Sequence, residues 1–169
     1  ETVIESFRYL TNDREIYLII AGAGSNLVVC QQLAKKIDCR RIVFHIPWPV
    51  EETSMILGAA DVLILPTRGR QSLASVPSKL IAYMLAARPV IALALPQSDL
   101  AEAVEQSGCG WIVEPDQPER LAAKISEVMA IEASERTHRG QAGRMFALEN
   151  LTREVCLPKV ISILERAAS

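Results

Sequence analysis

The chain has 169 residues, of which 50% are hydrophobic and 22% are charged, and its formal net charge is −2. This size fits one compact domain, and this composition argues against extensive disorder. The slightly acidic balance excludes a general attraction to nucleic acid or to an anionic membrane. No apolar run reaches the roughly 20 residues that span a bilayer, and the chain shows no secretory leader pattern. We therefore expect a cytoplasmic domain without a transmembrane segment, in which any anion-binding site is local.

The four cysteines are scattered along the chain, and none forms a Cys-x-x-Cys pair. Metal sites need clustered ligands, and disulfides suit oxidising compartments. We therefore expect free thiols and no metal site. The four are Cys30, Cys39, Cys109 and Cys156.

Short apolar runs rich in branched residues alternate with amphipathic stretches. This pattern predicts an α/β, Rossmann-like fold: a parallel sheet covered by helices on both faces. Because most of the runs are apolar throughout, we expect strands that are buried on both faces. The predicted strands are 15–21, 41–46, 61–66, 89–95 and 110–113.

Seven helices are predicted between and after these strands, at 26–37, 50–60, 76–87, 98–105, from 118 onward, 133–149 and 151–167. The second should pack through Met55 or Ile56 and Ala59, because these share one helical face. Ser98 is a predicted N-cap, and the sequence Ser107-Gly108 should end that helix. Pro158 lacks an amide hydrogen, so it should kink or split the last helix.

One stretch has an unusual charge pattern: no acidic residue occurs between Asp61 and Asp99, whereas four basic residues do. These are Arg68, Arg70, Lys79 and Arg88. The loop from Thr67 to Ser78 adds hydroxyls and a glycine at Thr67, Gly69, Ser72, Ser75 and Ser78. It follows a predicted strand, where ligands of parallel sheets bind. An anion site is one interpretation, with Arg68 and Arg70 as candidate contacts. The other is a surface loop whose arginines are solvated.

The helix after this loop has a start suited to phosphate. Ser75 is the predicted N-cap and Pro77 fits the first turn, so Ser78 and Lys79 would follow where amides lack helical partners. A diphosphate could bridge the amides from Ser75, through Val76, to Lys79, with Lys79 neutralising charge. Lys79 could equally reach solvent beside an ordinary cap.

A second glycine-containing turn, Gly22-Ala23-Gly24-Ser25-Asn26, also joins a predicted strand to a helix. The dinucleotide-binding fingerprint is incomplete here, because Leu27 stands at its third glycine position and no acidic residue ends the next strand. The turn either lines another ligand cleft or is purely structural. His45 fits a hydrogen-bonded core residue better than a base. Trp48 either forms a wall of a ligand slot or covers the sheet edge.

Three segments of the chain resemble the group 1 glycosyltransferases, the retaining GT-B enzymes of glycosyltransferase family four. They are Ala59-Ala60-Asp61-Val62-Leu63-Ile64-Leu65-Pro66, Ser75-Val76-Pro77-Ser78-Lys79-Leu80 and Ala86-Ala87-Arg88-Pro89-Val90-Ile91-Ala92. The resemblance extends upstream to Gly22-Ala23-Gly24 and downstream to Glu114-Pro115-Asp116. The Val-Pro-Ser-Lys sequence is similar to that of the subgroup that builds bacterial surface polysaccharides.

The resemblance implies that residues 1–169 are the donor-binding, carboxyl-terminal half of a longer two-domain GT-B protein. It implies a donor diphosphate at Ser75 to Lys79 and a nucleotide base near Gly22 to Gly24 and the segment Ile46-Pro47-Trp48. The implied partners are a nucleotide sugar and, through the amino-terminal domain, an acceptor glycan or lipid-linked sugar. The implied location is the cytoplasm, either free or peripheral at the inner face of the membrane. The last helix is implied to cross back toward the other domain. No nucleic acid, metal or cofactor is implied.

Two positions depart from the family pattern. The family's paired glutamates fall here on Ala74 and Ala82, and alanine cannot accept a hydrogen bond from a donor ribose. The leading hypothesis is that the chain is the donor domain of a glycosyltransferase, and that this domain is inactive in isolation. The alternatives are a non-catalytic relative that acts as a binding or assembly module, and a nucleotide-sugar epimerase of the same fold.

Overall fold

The computed structural model describes residues 1–10, 16–37, 40–73 and 76–167. Strand β1 (Leu18–Ala21) pairs with β2 (Ile42–His45), and β3 (Leu63–Leu65), β4 (Val90–Leu93) and β5 (Gly110–Val113) pair in that order. Every pairing is parallel. The α/β class with parallel strands flanked by helices is therefore confirmed. Within the described ranges the strands form two hydrogen-bonded groups, where the sequence predicted one sheet.

Eight α-helices accompany the strands in the described part of the chain. They are α1 (Thr2–Ser6), α2 (Leu27–Ile37), α3 (Thr53–Ala59), α4 (Ser78–Leu85), α5 (Asp99–Ser107), α6 (Pro118–Ala130), α7 (Ala133–Asn150) and α8 (Arg153–Ala167). Short 3₁₀ turns lie at Val50–Glu52 and Gln71–Leu73. The sequence predicted α2 to α8 within a few residues of these bounds, whereas α1 and the second 3₁₀ turn were not predicted.

The core has two halves, one on each face of β4. Val90 and Ala92 pack into a cluster with helices α4, α5 and α7, whereas Ile91 and Leu93 pack into a second cluster with α1 and α6. Consecutive side chains of a strand point to opposite faces, so this division shows that helices cover both faces of β4. The helical residues involved are Leu80, Met84, Leu100, Val104 and Ala147 in the first cluster, and Leu121, Ile125 and Val128 in the second, which also contains Phe7 at the end of α1.

Burial of the strands differs between the two groups. All four residues of β4 are buried, as the sequence predicted for strands covered on both sides. In β1 and β2, Ile19 is 61% exposed and its register partner Val43 is 46% exposed. The prediction of two-sided burial is therefore wrong for these two strands, because one side of each is not covered by any described helix.

Helix α3 also packs differently from the prediction. Leu57 is its buried residue and the predicted Ile56 is partly buried, whereas Met55 is 65% exposed and Ala59 is exposed. A 3₁₀ turn precedes the α-helix, which begins only at Thr53. The 3₁₀ turn changes the direction in which the later side chains point. A regular helical period counted from residue 50 therefore assigns the buried face of α3 incorrectly.

The two final helices pack in opposite ways. Helix α7 packs against the rest of the domain, and its residues Gly140 and Gly143 are buried. Helix α8 has no buried residue among those described, and it contains Pro158 without being split into two helices. It exposes an apolar stripe formed by Leu157, Val160, Ile161 and Leu164. No described helix is long and apolar enough to cross a membrane.

Candidate functional site

The turn after β1 and the segment after β2 lie side by side. Ala21 and His45 are register partners, and the Gly22 amide donates to the His45 carbonyl at 3.2 Å. Gly22 has a φ of +113°, a conformation that L side chains rarely adopt. A β-carbon at Gly22 would lie 4.0 Å from Cε3 of Trp48. The structure thus brings the predicted Gly22 and the Ile46-Pro47-Trp48 segment together.

Both sides of this junction are open. Gly24, Ile46 and Pro47 are exposed, and the indole Nε1 of Trp48 donates to Thr53 Oγ1 at 2.7 Å. This hydrogen bond fixes the indole beside Gly22, which suits a wall of a ligand slot. His45 is exposed, so its interpretation as a core residue is wrong: the outer face of β2 is uncovered at this end.

The second part of the site is the loop after β3, which the polar side chains Thr67 and Ser72 anchor. Both residues are buried, with exposed fractions of 7% and 0%. Thr67 Oγ1 donates to the Leu93 carbonyl at 2.5 Å, and Ser72 Oγ accepts from the Leu95 amide at 3.0 Å. The sequence predicted that these hydroxyls could face an anion. That prediction is wrong for both, because their hydrogen bonds hold the loop on the end of β4.

Gly69 in the same loop is also engaged internally. Its amide donates to Asp116 Oδ2 at 3.0 Å, and Asp116 Oδ1 accepts from Thr2 Oγ1 at 3.5 Å. The sequence offered the Gly69 amide as an anion ligand, and here a carboxylate already occupies it. Asp116 itself was not singled out, since an acidic residue gave no sign of contacting a basic loop.

The four basic residues of the stretch separate into different surroundings. Arg68 forms an ion pair with Glu1 at 3.3 Å between exposed side chains. Arg88 lies beyond the end of α4 and donates to the Gly58 carbonyl, so it is not part of the loop. Arg70 and Lys79 are exposed, and neither side chain forms a hydrogen bond or ion pair with another described residue. They are therefore the two cations that a ligand could engage directly.

The start of α4 differs in detail from the prediction. Pro77 is the N-cap, with an extended ψ of 136°, and the helix begins at Ser78. The predicted N-cap Ser75, like Ala74, lies outside the described residues. Val76 precedes a proline, which disfavours helical geometry at that position, and this agrees with a helix that begins only after Pro77. Proline has no side-chain acceptor, and the amides of Ser78 and Lys79 consequently have no cap from it.

The predicted site residues therefore fall into two groups. Gly22, Gly24, Ile46 and Pro47 line the first junction, while Arg68, Arg70 and the segment Val76-Pro77-Ser78-Lys79 follow β3. Both groups lie at carboxyl ends of parallel strands, where ligands of open α/β sheets bind. No hydrogen bond between described residues joins the two groups. Across the same described residues, no set of three His, Cys, Asp or Glu side chains is placed to hold a metal ion.

The shifted pKa values lie outside these two groups. Burial raises the pKa of the Cys109 thiol and of the Tyr83 hydroxyl. On the surface, a hydrogen bond to Glu119 raises the pKa of Tyr9, and the same bond lowers the pKa of Glu119.

Comparison with known proteins places this arrangement in a family. Residues 1–130 match the sequence profile described as Glycosyl transferases group 1. A curated relative, the probable glycosyltransferase WbjE of Pseudomonas aeruginosa, is 24% identical over 134 residues, which are 79% of this chain and 33% of WbjE.

Solved structures agree with the sequence match. HepE of Anabaena in complex with UDP-glucose is similar with a TM-score of 0.78 and 14% identity, over 98% of this chain and 44% of HepE. WaaG, a glycosyltransferase involved in lipopolysaccharide biosynthesis, is similar with a TM-score of 0.71 and 18% identity, over 96% of this chain and 42% of WaaG. This chain thus spans less than half of each relative. These likenesses show a GT-B glycosyltransferase fold, and the family match over most of the chain shows that it belongs to the group 1 glycosyltransferases.

Proposed function

We propose that the protein containing this chain transfers a sugar from a nucleotide diphosphate sugar to an acceptor, and that residues 1–169 are its donor-binding domain. The start of α4 carries the proposal. Helix amides at Ser78 and Lys79 that the N-cap Pro77 cannot cap with a side chain, an exposed Lys79 and an exposed Arg70 occur together after β3. This combination favours a phosphate group, and it occurs in a chain of the group 1 glycosyltransferase family.

The nucleoside of the donor would bind in the junction beside Trp48. The Gly22 turn, Gly24 and the exposed Ile46-Pro47 segment form its two sides, and the Thr53 hydrogen bond keeps the indole in place. A fixed aromatic ring and a glycine turn without a side chain suit a flat base. UDP-glucose bound to the structurally similar HepE makes a uracil nucleotide the first one to test.

The chemistry of transfer would be electrostatic at this domain. Cleavage of the sugar–phosphate bond develops negative charge on the departing diphosphate. The amides at the start of α4, together with Lys79 and Arg70, would stabilise that charge without a metal ion. We propose retention of configuration at the sugar, as in the family-four enzymes with the Val-Pro-Ser-Lys sequence that this chain resembles, and transfer of a hexose.

The acceptor would be a glycan or a lipid-linked sugar held by a domain outside residues 1–169. The polysaccharide role of the similar WaaG supports a place in surface polysaccharide or glycoconjugate synthesis. Such a protein would act in the cytoplasm, at the inner face of the membrane. The exposed stripe of α8 that includes Leu157 and Leu164 would then contact the other domain.

Calorimetric titration with UDP, GDP, ADP and the matching nucleosides tests the donor site. Lys79→Ala and Arg70→Ala should each weaken binding of the diphosphate about tenfold or more, since a hydrogen bond to a charged group contributes about 1.5–3 kcal/mol. Nucleoside binding should not change. Lys124→Ala is the matched control, because Lys124 pairs with Glu127 on α6 at 2.6 Å. Equal losses for diphosphate and nucleoside would contradict the assigned role of both cations.

The need for a second domain has its own test. Sugar release from UDP-glucose and transfer to an acceptor should be absent with residues 1–169 alone and present in the longer protein. Turnover by residues 1–169 would show that this chain carries a complete active site, which would overturn the proposed division of labour.

A non-catalytic role is the second candidate, and Ala82 favours it. This residue is exposed on α4, at the position where the family commonly has a glutamate that holds the donor ribose. A binding or assembly module would not need that carboxylate. Binding of a nucleotide sugar by the longer protein without any hydrolysis or transfer would support this candidate over a transferase. Interconversion of the free donor sugar would instead indicate an epimerase.

A further inference from the structure

We infer that Thr67 and Ser72 are positioning residues of the diphosphate site: their buried hydroxyls fix the loop that presents Arg70. This inference rests on the proposed function and extends it to residues that would touch no ligand. Neither hydroxyl is exposed enough to contact a ligand, since 7% of Thr67 and 0% of Ser72 is accessible.

The hydroxyl of Thr67 continues the hydrogen-bond ladder beyond the end of β3. Leu65 pairs with Ala92, and the Leu63 amide donates to the Pro89 carbonyl. In a parallel ladder every second carbonyl of β4 faces β3, so the pattern that begins at Pro89 points the Leu93 carbonyl toward residue 67. Thr67 Oγ1 donates to that carbonyl at 2.5 Å. A side-chain hydroxyl therefore satisfies a buried backbone acceptor, and it ties the first residue of the loop to β4.

Ser72 pairs with the next backbone group on this edge that has no strand partner, the Leu95 amide. The Ala94 amide donates to Val113 on β5, so the Leu95 amide points to the side of β3, where no strand residue remains. Ser72 Oγ accepts from the Leu95 amide at 3.0 Å. Because even a partly buried amide without an acceptor is costly, this bond favours one position for the end of the loop.

Arg70 lies between these two anchors. A third contact, from the Gly69 amide to Asp116 Oδ2 at 3.0 Å, holds the residue next to it. The backbone of Arg70 is thus restrained on both sides, while its side chain stays exposed. A cation that is already positioned loses less entropy when it binds an anion. The hydroxyls of Thr67 and Ser72 therefore affect diphosphate affinity indirectly: they hold the loop, and Arg70 contacts the diphosphate.

The test compares Thr67→Val, which keeps the shape but removes the hydroxyl, with Thr67→Ser, which keeps the hydroxyl. Calorimetry with UDP and uridine gives the binding readout. Thr67→Val and Ser72→Ala should each lower UDP affinity about tenfold and leave uridine affinity unchanged, and Thr67→Ser should bind UDP like the unmodified chain. Hydrogen exchange at the Gly69 amide should be about tenfold faster or more in Thr67→Val, because the loop opens more often.

Unchanged UDP affinity in both Thr67→Val and Ser72→Ala would overturn the inference, as would equal losses for UDP and uridine. Failure of the unmodified chain to bind UDP, GDP or ADP would instead overturn the proposed function. Hydrogen exchange would then decide the remaining question: an unchanged rate at Gly69 in Thr67→Val shows that the hydroxyl does not hold the loop, and a faster rate shows that it does.

Discussion

The Gly69 amide donates a hydrogen bond to Asp116 Oδ2 at 3.0 Å, and this contact joins two left-handed turns. Gly69 has a φ of +47° and Asp116 a φ of +58°. One turn precedes α4 and the other follows β5, so the bond links the two loops at the carboxyl ends of their strands. This conformation is energetically unfavourable for an L residue unless a local interaction stabilises it. The hydrogen bonds of its carboxylate stabilise Asp116 in this conformation. Gly69 adopts it without strain because glycine has no side chain.

Gly69→Ala should lower the free energy of unfolding by about 1 kcal/mol, because φ is positive there. A β-carbon would meet no atom within 4 Å at this position, so the whole cost comes from the backbone. Gly58→Ala is the matched control: it also points into open space, but it lies in α3, where alanine is favoured by about 1 kcal/mol. Urea unfolding should show opposite signs for the two variants. A stabilised Gly69→Ala variant would contradict the assigned backbone strain.

Ser98→Ala should destabilise the chain by about 1–2 kcal/mol, since it removes the N-cap of α5. Ser98 Oγ accepts from the Ala101 amide at 3.2 Å and donates to the Leu95 carbonyl at 2.7 Å. Both groups are buried or partly buried, so the alanine variant leaves them without partners. Ser98→Thr keeps the hydroxyl and should lose less than half as much in thermal or urea unfolding. Equal losses for the two variants would show that packing, rather than the cap, determines the effect.

The sequence predicted the fold well where local patterns coincide with packing. Apolar runs located all five described strands, and Ser98 and Gly108 marked the ends of α5 correctly, with Gly108 at a φ of +61°. The pattern failed for α3 and for α1. A 3₁₀ turn before α3 shifts its buried face to Leu57. Helix α1 has only five residues, which is too short for a period of 3.6 residues to be recognised.

The candidate site was only partly predictable. Charge and hydroxyl content pointed to the loop after β3, and glycines to the turn after β1. What the sequence could not show is which polar groups already have partners. Thr67 bonds to Leu93 on β4 and Ser72 bonds to Leu95 just beyond β4, each more than 20 positions further along the chain. Gly69 bonds to Asp116. These pairings depend on tertiary contacts, so a list of polar loop residues overestimates the groups open to a ligand.

Gly140→Ala should destabilise the chain by about 3 kcal/mol, because a β-carbon there would overlap the Ala87 carbonyl group and overpacking of this kind is costly. Ala87 itself has a φ of +54°, so the backbone under α7 has little freedom to move away. Gln141→Ala, at an exposed position of the same helix, is the control and should change the free energy of unfolding by less than about 0.5 kcal/mol. A neutral Gly140→Ala variant would show that α7 can lift from the domain without loss.

The stability of the chain should fall as the pH rises above about 9, and Cys109 should account for part of the fall. Burial raises the pKa of this thiol above its ordinary value. A group with a raised folded-state pKa stabilises the fold fully below its unfolded pKa, and this contribution is lost as the pH rises through the folded pKa. Cys109→Ala removes the titrating group and keeps the β-carbon that faces Gly143. Its free energy of unfolding should therefore decline less between pH 8 and pH 10 than that of the unmodified chain.

Urea unfolding at both pH values gives the measurement, and Cys156→Ala on α8 is the control, since Cys156 is half-exposed. Burial also raises the pKa of Tyr83, so Cys109→Ala should keep some decline rather than none. The control should decline as much as the unmodified chain, because Cys156 lies on α8, outside the buried cluster that contains Cys109. An equal decline in all three proteins would mean that the Cys109 thiolate is tolerated in the folded state, and that the helices around it open enough to solvate the charge.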